Sequence, residues 1–207
     1  MQTETSPNQS EIRDAIIDAA ERLFEQFGYR KTTVEEIAQE AKIGKGSVYL
    51  HFASKEDLGL CWLKRLHQHI LGDFHNIIES DQPYAARLEE LLTQRIMLRF
   101  DIFTRHRRSM DEAMTTLREI VHEKREAFHC QEASLVADLI RSGVESGEFV
   151  EENPQETAIS MVIATNSLLP YSLKPIQLGD RNTVLTKATS LAKLLVRALT
   201  PIERNSK

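Results

Sequence analysis

The chain has 207 residues, 41% hydrophobic and 28% charged, with a net charge of −5. That length suits one large domain or two small ones with a genuine core. Eight Gly, six Pro and little β-branched alternation exclude a loop-rich or sheet-built chain and point to an all-α fold. Two cysteines, Cys61 and Cys130, form no C-x-x-C pair, so reduced thiols are expected rather than a disulfide framework. The opening MQTETSPNQSE lacks the cationic start and apolar run of a signal peptide. No stretch approaches the roughly 18 to 20 apolar residues of a membrane span. A cytoplasmic protein, away from the membrane, is therefore expected.

Residues 1–9 are polar and expected to be disordered. A first helix is predicted from about Ser10 to Gln26, where Ile12, Ile16, Ala19, Leu23 and Phe27 recur at three- and four-residue steps, and Gly28 supplies the stop. Thr33 and Glu36 form a capping-box pair that opens a second helix over about 34–41. Lys42-Ile43-Gly44 is the turn, and a third helix follows over 45–51 with Val48 and Phe52 as packing anchors. Ser54 and Asp57 mark the start of a long fourth helix, about 55–79. Asp81-Gln82-Pro83 is the clearest boundary. Beyond it helices are predicted near 84–105, 109–116, 117–146, 154–172 and 182–199, about nine in all, punctuated late by Pro170 to Asp180. The expected organisation is a helix-turn-helix domain over 10–58, a linking helix over about 55–79, and a helical domain over 80–207.

A short helix braced by another across a Gly-containing turn is the geometry that fits a DNA major groove. Charge argues weakly against it, because residues 1–58 hold seven Lys/Arg against eleven Asp/Glu. Only the local footprint has to be positive to release phosphate counterions.

A second pattern, Glu119, His122, Glu126 and His129, has two E-x-x-H pairs a heptad apart, the spacing of di-metal helical bundles. At about 100° per residue this stripe falls opposite Leu117, Ile120, Val121, Phe128, Leu135 and Leu139, so a solvated face is expected and no metal or other cofactor. A helical metalloenzyme using the stripe is the rival this leaves. A helix-turn-helix that meets protein instead of DNA is another.

Residues 32–58, TTVEEIAQEAKIGKGSVYLHFASKEDL, resemble the TetR family of bacterial transcriptional regulators. The shared positions are Thr33, Glu36-Ile37-Ala38, Ala41, Lys45-Gly46-Ser47-Val48-Tyr49, His51-Phe52, Ser54-Lys55-Glu56 and Leu58. Ala20, Leu23-Phe24 and Gly28-Tyr29 match upstream. Two positions depart: Lys42 stands where the family often has Gly, and Gly44 where Ser is common. The first implies a turn that costs something in the left-handed region, and the second removes a hydroxyl.

The resemblance implies a repressor that binds double-stranded, near-palindromic operator DNA as a homodimer and is released by a small, largely apolar effector. It implies no enzyme activity. The expected DNA-binding residues are Thr33, Lys45, Gly46, Ser47, Tyr49, Leu50, His51 and Lys55. Thr33 is placed at a phosphate through its hydroxyl and the helix start, with a plain capping role as the competing reading. Tyr49 and Lys55 are placed on the backbone, and Leu50 against a thymine methyl. The predicted helices near 154–172 and 182–199 carry the dimer interface, the first through Thr157, Ala158, Ser160, Met161, Ala164 and Thr165. Phe74, Met97, Phe100, Phe103, Met114, Phe128, Met161 and Asn166 are the expected effector pocket, for which ordinary core is the competing reading. An effector held there is expected to re-angle the fourth helix and with it the reading heads.

Overall fold

A computed structural model describes residues 8–169 and 179–201. They form α1 (Gln9–Phe27), α2 (Val34–Glu40), α3 (Lys45–His51), α4 (Lys55–Ile78), α5 (Tyr84–Arg105), α6 (Arg107–Thr116), α7 (Arg118–Glu145) and α8 (Pro154–Thr165). A 3-10 turn (Asn166–Leu168) and α9 (Arg181–Arg197) follow. No strand occurs among the described residues, and the fold is all-α. Of the segment expected to be disordered, residues 1–7 lie outside the described residues. Asn8 caps α1, its backbone N–H donating to Glu11 Oε2 at 2.9 Å, and Gln9 is already helical.

The chain divides into two compact units. The first comprises residues 1–67 and 105–122, the second 68–104 and 123–207. The expected domains were 10–58 and 80–207, with the helix over about 55–79 linking them. The division instead falls within α4, and α6 joins the first unit. The reason is hydrogen bonding and packing that sequence spacing does not display. Ser109 donates its hydroxyl to the Phe24 carbonyl at the end of α1, His106 Nδ1 lies 3.2 Å from Glu25 Oε1, and Glu112 accepts the Arg30 N–H at 2.7 Å.

The core of the first unit is aromatic. Phe24, Tyr29, Phe52 and Trp62 are fully buried, with the Phe24 ring 5.1 Å from Tyr29 and 5.3 Å edge-on from Trp62. On α1, Ile16 and Ala19 are buried as expected and Ile17, Ala20 and Phe24 join them, while Phe27 is 45% exposed. Gly59 lets Tyr29 approach α4, since a Cβ there would sit 2.7 Å from the tyrosine ring. Gly28 ends α1 at φ +91, and its N–H donates to Phe24 O.

The second unit buries two apolar clusters. One joins Phe74, Leu88, Leu91, Leu92, Ile140 and Met161 with neighbours along α4, α5, α7, α8 and α9, and the other joins Ile96, Met97, Phe100, Leu169, Val184 and Ala188. The helix expected to run to 172 ends earlier. Thr165 donates its hydroxyl back to Met161 O at 2.8 Å, and Leu169 takes an extended conformation (φ −84, ψ 144) before Pro170, a position where proline disfavours the α region. Residues 170–178, which hold most of the expected late boundary, lie outside the described residues.

Lys42, in the turn between α2 and α3, has φ +58, the one non-glycine with positive φ among the described residues. A left-handed non-glycine residue costs about 1 kcal/mol. Lys42→Gly is therefore expected to stabilise the protein by about 0.5 kcal/mol after the added unfolded-state entropy is subtracted. Urea unfolding of both forms measures it.

Candidate nucleic-acid interface

Two seven-residue helices carry the site, and each is held by its ends. α2 starts at Thr33, whose Oγ1 accepts from Glu36 N at 3.2 Å while Thr33 N donates to Glu36 Oε2 at 2.7 Å. Thr33 Oγ1 also donates to the same carboxylate at 2.9 Å. The Thr33 backbone and hydroxyl bonds, with Lys55 as a weaker influence, hold the Glu36 carboxyl below its usual range. The Thr33 hydroxyl is thus occupied on both its donor and acceptor sides, and a phosphate would have to replace Glu36 there. α3 starts at Gly44 in extended conformation, with no side chain to cap it. Val48 and Phe52 anchor it from below.

The outward face of α3 is unusual for a surface helix. Leu50 is 84% exposed and Tyr49 50% exposed, both large and apolar. Lys45 and Gly46 are exposed, and Ser47 and His51 are half-buried. A Cβ at Gly46 would meet nothing within 4 Å, so no packing inside the protein requires glycine there.

Thr33, Lys45, Tyr49 and Lys55 are brought together on one open cleft, completed by Arg30, Thr32, Val34 and Glu35. Its lining holds three cations and a single carboxylate. Five of the other ten acids of residues 1–58 lie on α1. Lys45 Nζ lies 3.2 Å from Glu35 Oε2 in an exposed pair, an interaction worth little in water and readily exchanged for a phosphate. Lys55 is more tightly held. Its Nζ donates to Arg30 O at 3.2 Å and lies 4.7 Å from the Tyr29 ring centroid; burial lowers its pKa, against the raising effect of Glu56, Glu112 and Glu36. Arg30 was absent from the residues expected from sequence; its signal was only its place three residues before the second helix's cap.

The expected pocket residues do not form one set. Phe74 and Met161 belong to one apolar cluster of the second unit and Met97 and Phe100 to the other. Phe103 is buried, and Phe128 and Asn166 are half-buried. Met114 lies on α6 in the first unit. Apart from Asn166, the expectation missed the polar residues that lie beside these clusters. Arg95 and Glu132 are fully buried: Arg95 Nε donates to Glu132 Oε2 at 2.7 Å, Nη1 to Thr165 Oγ1 at 2.7 Å and Nη2 to Asn166 Oδ1 at 2.8 Å. Arg99 donates to Arg95 O at 2.8 Å and to Glu132. The signal was present, since Arg95 and Arg99 continue the buried stripe of Leu88, Leu91 and Leu92.

The small-residue face of α8 is also divided. Ala158, Met161 and Thr165 are buried within the protomer, while Ile159, Ser160 and Ile163 face outward. On α9, Val184, Ala188, Ala192 and Val196 are buried and Leu194 is exposed.

Of the Glu/His stripe, Glu119, His122 and Glu126 are exposed. Among the described residues no three His, Cys, Asp or Glu side chains converge as a metal site. His129 is different, being half-buried with Nε2 sealed from solvent and lacking a hydrogen-bond partner. Burial first, then the charges of Arg95, Arg99 and Arg125 outweighing Glu132, push its pKa down to about 4.

A short helix presented outward beside a cation-lined cleft and braced by a second is the working part of helix-turn-helix DNA-binding proteins. Residues 16–60 match the family described as "Bacterial regulatory proteins, tetR family". Over those residues the chain is similar to TetR-family transcriptional regulators. It is 42% identical over 77 residues to the uncharacterized HTH-type transcriptional regulator YuxN of Bacillus subtilis, a match covering 37% of this chain and only 26% of that protein. It is 28% identical over 141 residues to the HTH-type transcriptional repressor KstR2 of Mycobacterium tuberculosis, covering 66% of this chain and 68% of the repressor. The crystal structure of a transcriptional regulator from Cytophaga hutchinsonii shares the fold, with a TM-score of 0.74 at 24% identity over 91% of this chain and 98% of that one. Among the described residues no helix is long and apolar enough to cross a membrane.

Because the folded state holds His129 neutral, the unfolded chain takes up its proton first, near pH 6.5, and the folded protein only near 4. Stability present above about pH 6.5 is therefore lost as pH falls toward 4. Allowing for solvent screening of a half-buried group, the loss is on the order of 1 kcal/mol. His129→Gln is expected to flatten the stability profile across that window by this amount, read by urea unfolding at stepped pH.

Proposed function

We propose that the protein is a cytoplasmic repressor that binds a near-palindromic operator as a homodimer and is released by a small, largely apolar effector. The observation that carries the reading is the cleft where Arg30, Thr33, Lys45, Tyr49 and Lys55 meet beside the exposed tip of α3. Cations on such a surface take phosphates and fix register. Leu50, Ser47 and His51 would then reach base edges, and Gly46 would let the helix backbone lie close to the groove. The name of the Mycobacterium relative supports repression rather than activation.

One such module would bind weakly, and two related by a two-fold axis read half-sites about one helical turn apart. Ile159 and Ile163 on α8 and Leu194 on α9, with Ile163 62% and Leu194 68% exposed, supply apolar surface for a self-complementary interface. The apolar clusters of the second unit, with the Arg95–Glu132 network as a polar anchor, would hold the effector. α4 begins in one unit and ends in the other, so it is the element through which effector binding would re-angle the reading heads. The effector acts by binding the misaligned state better than the DNA-competent one.

Selection from random duplexes followed by a salt series tests the DNA reading. Selective binding is expected, steepening toward low salt, with Tyr49→Ala weakening it about tenfold and Lys55→Ala lowering the salt slope by about one. Gly46→Ala should leave or slightly raise the melting temperature yet weaken binding, separating helix propensity from groove approach. Absence of selectivity at every salt concentration would sink the proposal. For the dimer, sedimentation of the Ile163→Glu, Leu194→Glu double variant is expected to show monomer where the parent protein sediments as dimer.

A further inference from the structure

We propose that Glu112, on α6, is a positioning residue for DNA binding: it clamps the Arg30 peptide from which Lys55 is hung, and so sets the shape of the cation-lined cleft. The inference rests on the DNA-binding reading above and adds a residue that is not itself among those lining the cleft.

Both faces of one residue's backbone are used. The Arg30 N–H donates to Glu112 Oε2 at 2.7 Å, and the Arg30 carbonyl accepts from Lys55 Nζ at 3.2 Å. Arg30 and Lys55 are two of the three cations lining the cleft. α6 thereby holds the loop between α1 and α2 at the point where it leads into Thr33 and the start of α2. Glu112 is itself fixed, with Oε1 accepting from Arg108 Nε at 3.3 Å, and α6 is pinned one turn earlier by the Ser109 hydroxyl on Phe24 O. The approach is close enough to dictate the residue opposite. A Cβ at Gly28 would lie 2.9 Å from Glu112 Oε2 and 3.1 Å from Arg108 Nε, and Gly28 already has φ +91. An exposed loop with no such clamp would leave Arg30, Thr33 and Lys55 to sample many arrangements, each of which must be ordered on binding DNA.

Electrostatics alone gives the opposite expectation, which makes the inference sharp. Glu112 is an anion acting on Lys55. If charge were its only influence, removing it would tighten binding to phosphate. Positioning through a hydrogen-bond acceptor says that removal weakens binding, and that a neutral acceptor restores it.

The test compares Glu112→Ala with Glu112→Gln on a duplex of about 30 base pairs selected by the parent protein. Both variants lose the charge, and only alanine loses the acceptor. Selective binding is expected to weaken about tenfold in Glu112→Ala and to be no weaker than the parent in Glu112→Gln, with circular dichroism melting confirming that both are folded. Alanine binding as well as or better than the parent overturns the proposal, and so does glutamine failing as badly as alanine. Hydrogen exchange at the Arg30 amide tests the clamp without DNA: about tenfold faster exchange in alanine than in glutamine is expected, and equal rates overturn it. If the parent selects no duplex, the regulator reading fails, while the exchange comparison still decides the clamp.

Discussion

Helices of seven residues do not persist in water, because nucleating a helix costs more than two turns of hydrogen bonds return. α2 and α3 are both of that length, and the exposed face beside the cation-lined cleft depends on them. Their existence is therefore a tertiary matter. Val48 and Phe52 are buried and anchor α3, and Ile37 and Ala38 bury the inner face of α2. The capping box at Thr33 and Glu36 closes one end. The turn is accepted at some cost in the left-handed Lys42. With the inner residues committed to packing, the outer ones are left exposed at fixed spacing, and a rigid exposed face is what a groove can read.

The charge distribution follows the same division between local and global. A chain with net charge −5 is a poor polyanion binder by composition. Yet the cleft gathers three cations around one carboxylate, and phosphates respond to charge within a Debye length of roughly 8 to 10 Å. In the second unit the opposite arrangement appears, with charge hidden. Arg95, Arg99 and Glu132 lie in the interior among Leu88, Leu91 and Leu92. A buried ion cluster is seldom a net source of stability, but losing one partner leaves an uncompensated charge and costs about 3 to 5 kcal/mol. Such a network holds α5, α7 and the end of α8 in one arrangement.

Helix positions were legible in the chain because caps, stops and apolar periods are local. Thr33 with Glu36, Gly28, Ser54 with Asp57, and Asn153-Pro154 all act within a few residues of where they stand. The exposed positions of α3 were legible for a related reason. α3 is so short that its outward positions follow from where Val48 must point. The rest depended on partners distant in sequence. Nothing near Glu112 announces that its carboxylate meets Arg30, 82 residues away. The periodicity of α1 allowed either Phe24 or Phe27 to face inward, and Trp62 decided between them. Met114 reads as a soft pocket residue by type, and its unit was settled by Ser109 and Glu112 on the same helix.

By itself, then, the amino-acid sequence determined the all-α class, most of the helical segments among the described residues and the helix-turn-helix motif, since each is written in backbone propensity and short-range side-chain chemistry. Only the tertiary structure decided which helices share a unit, which cations meet on one cleft, and where charge is buried. Those outcomes turn on contacts between residues tens of positions apart. Such contacts form because apolar surface must leave water and buried polar groups must find partners, and neither demand specifies its partner locally.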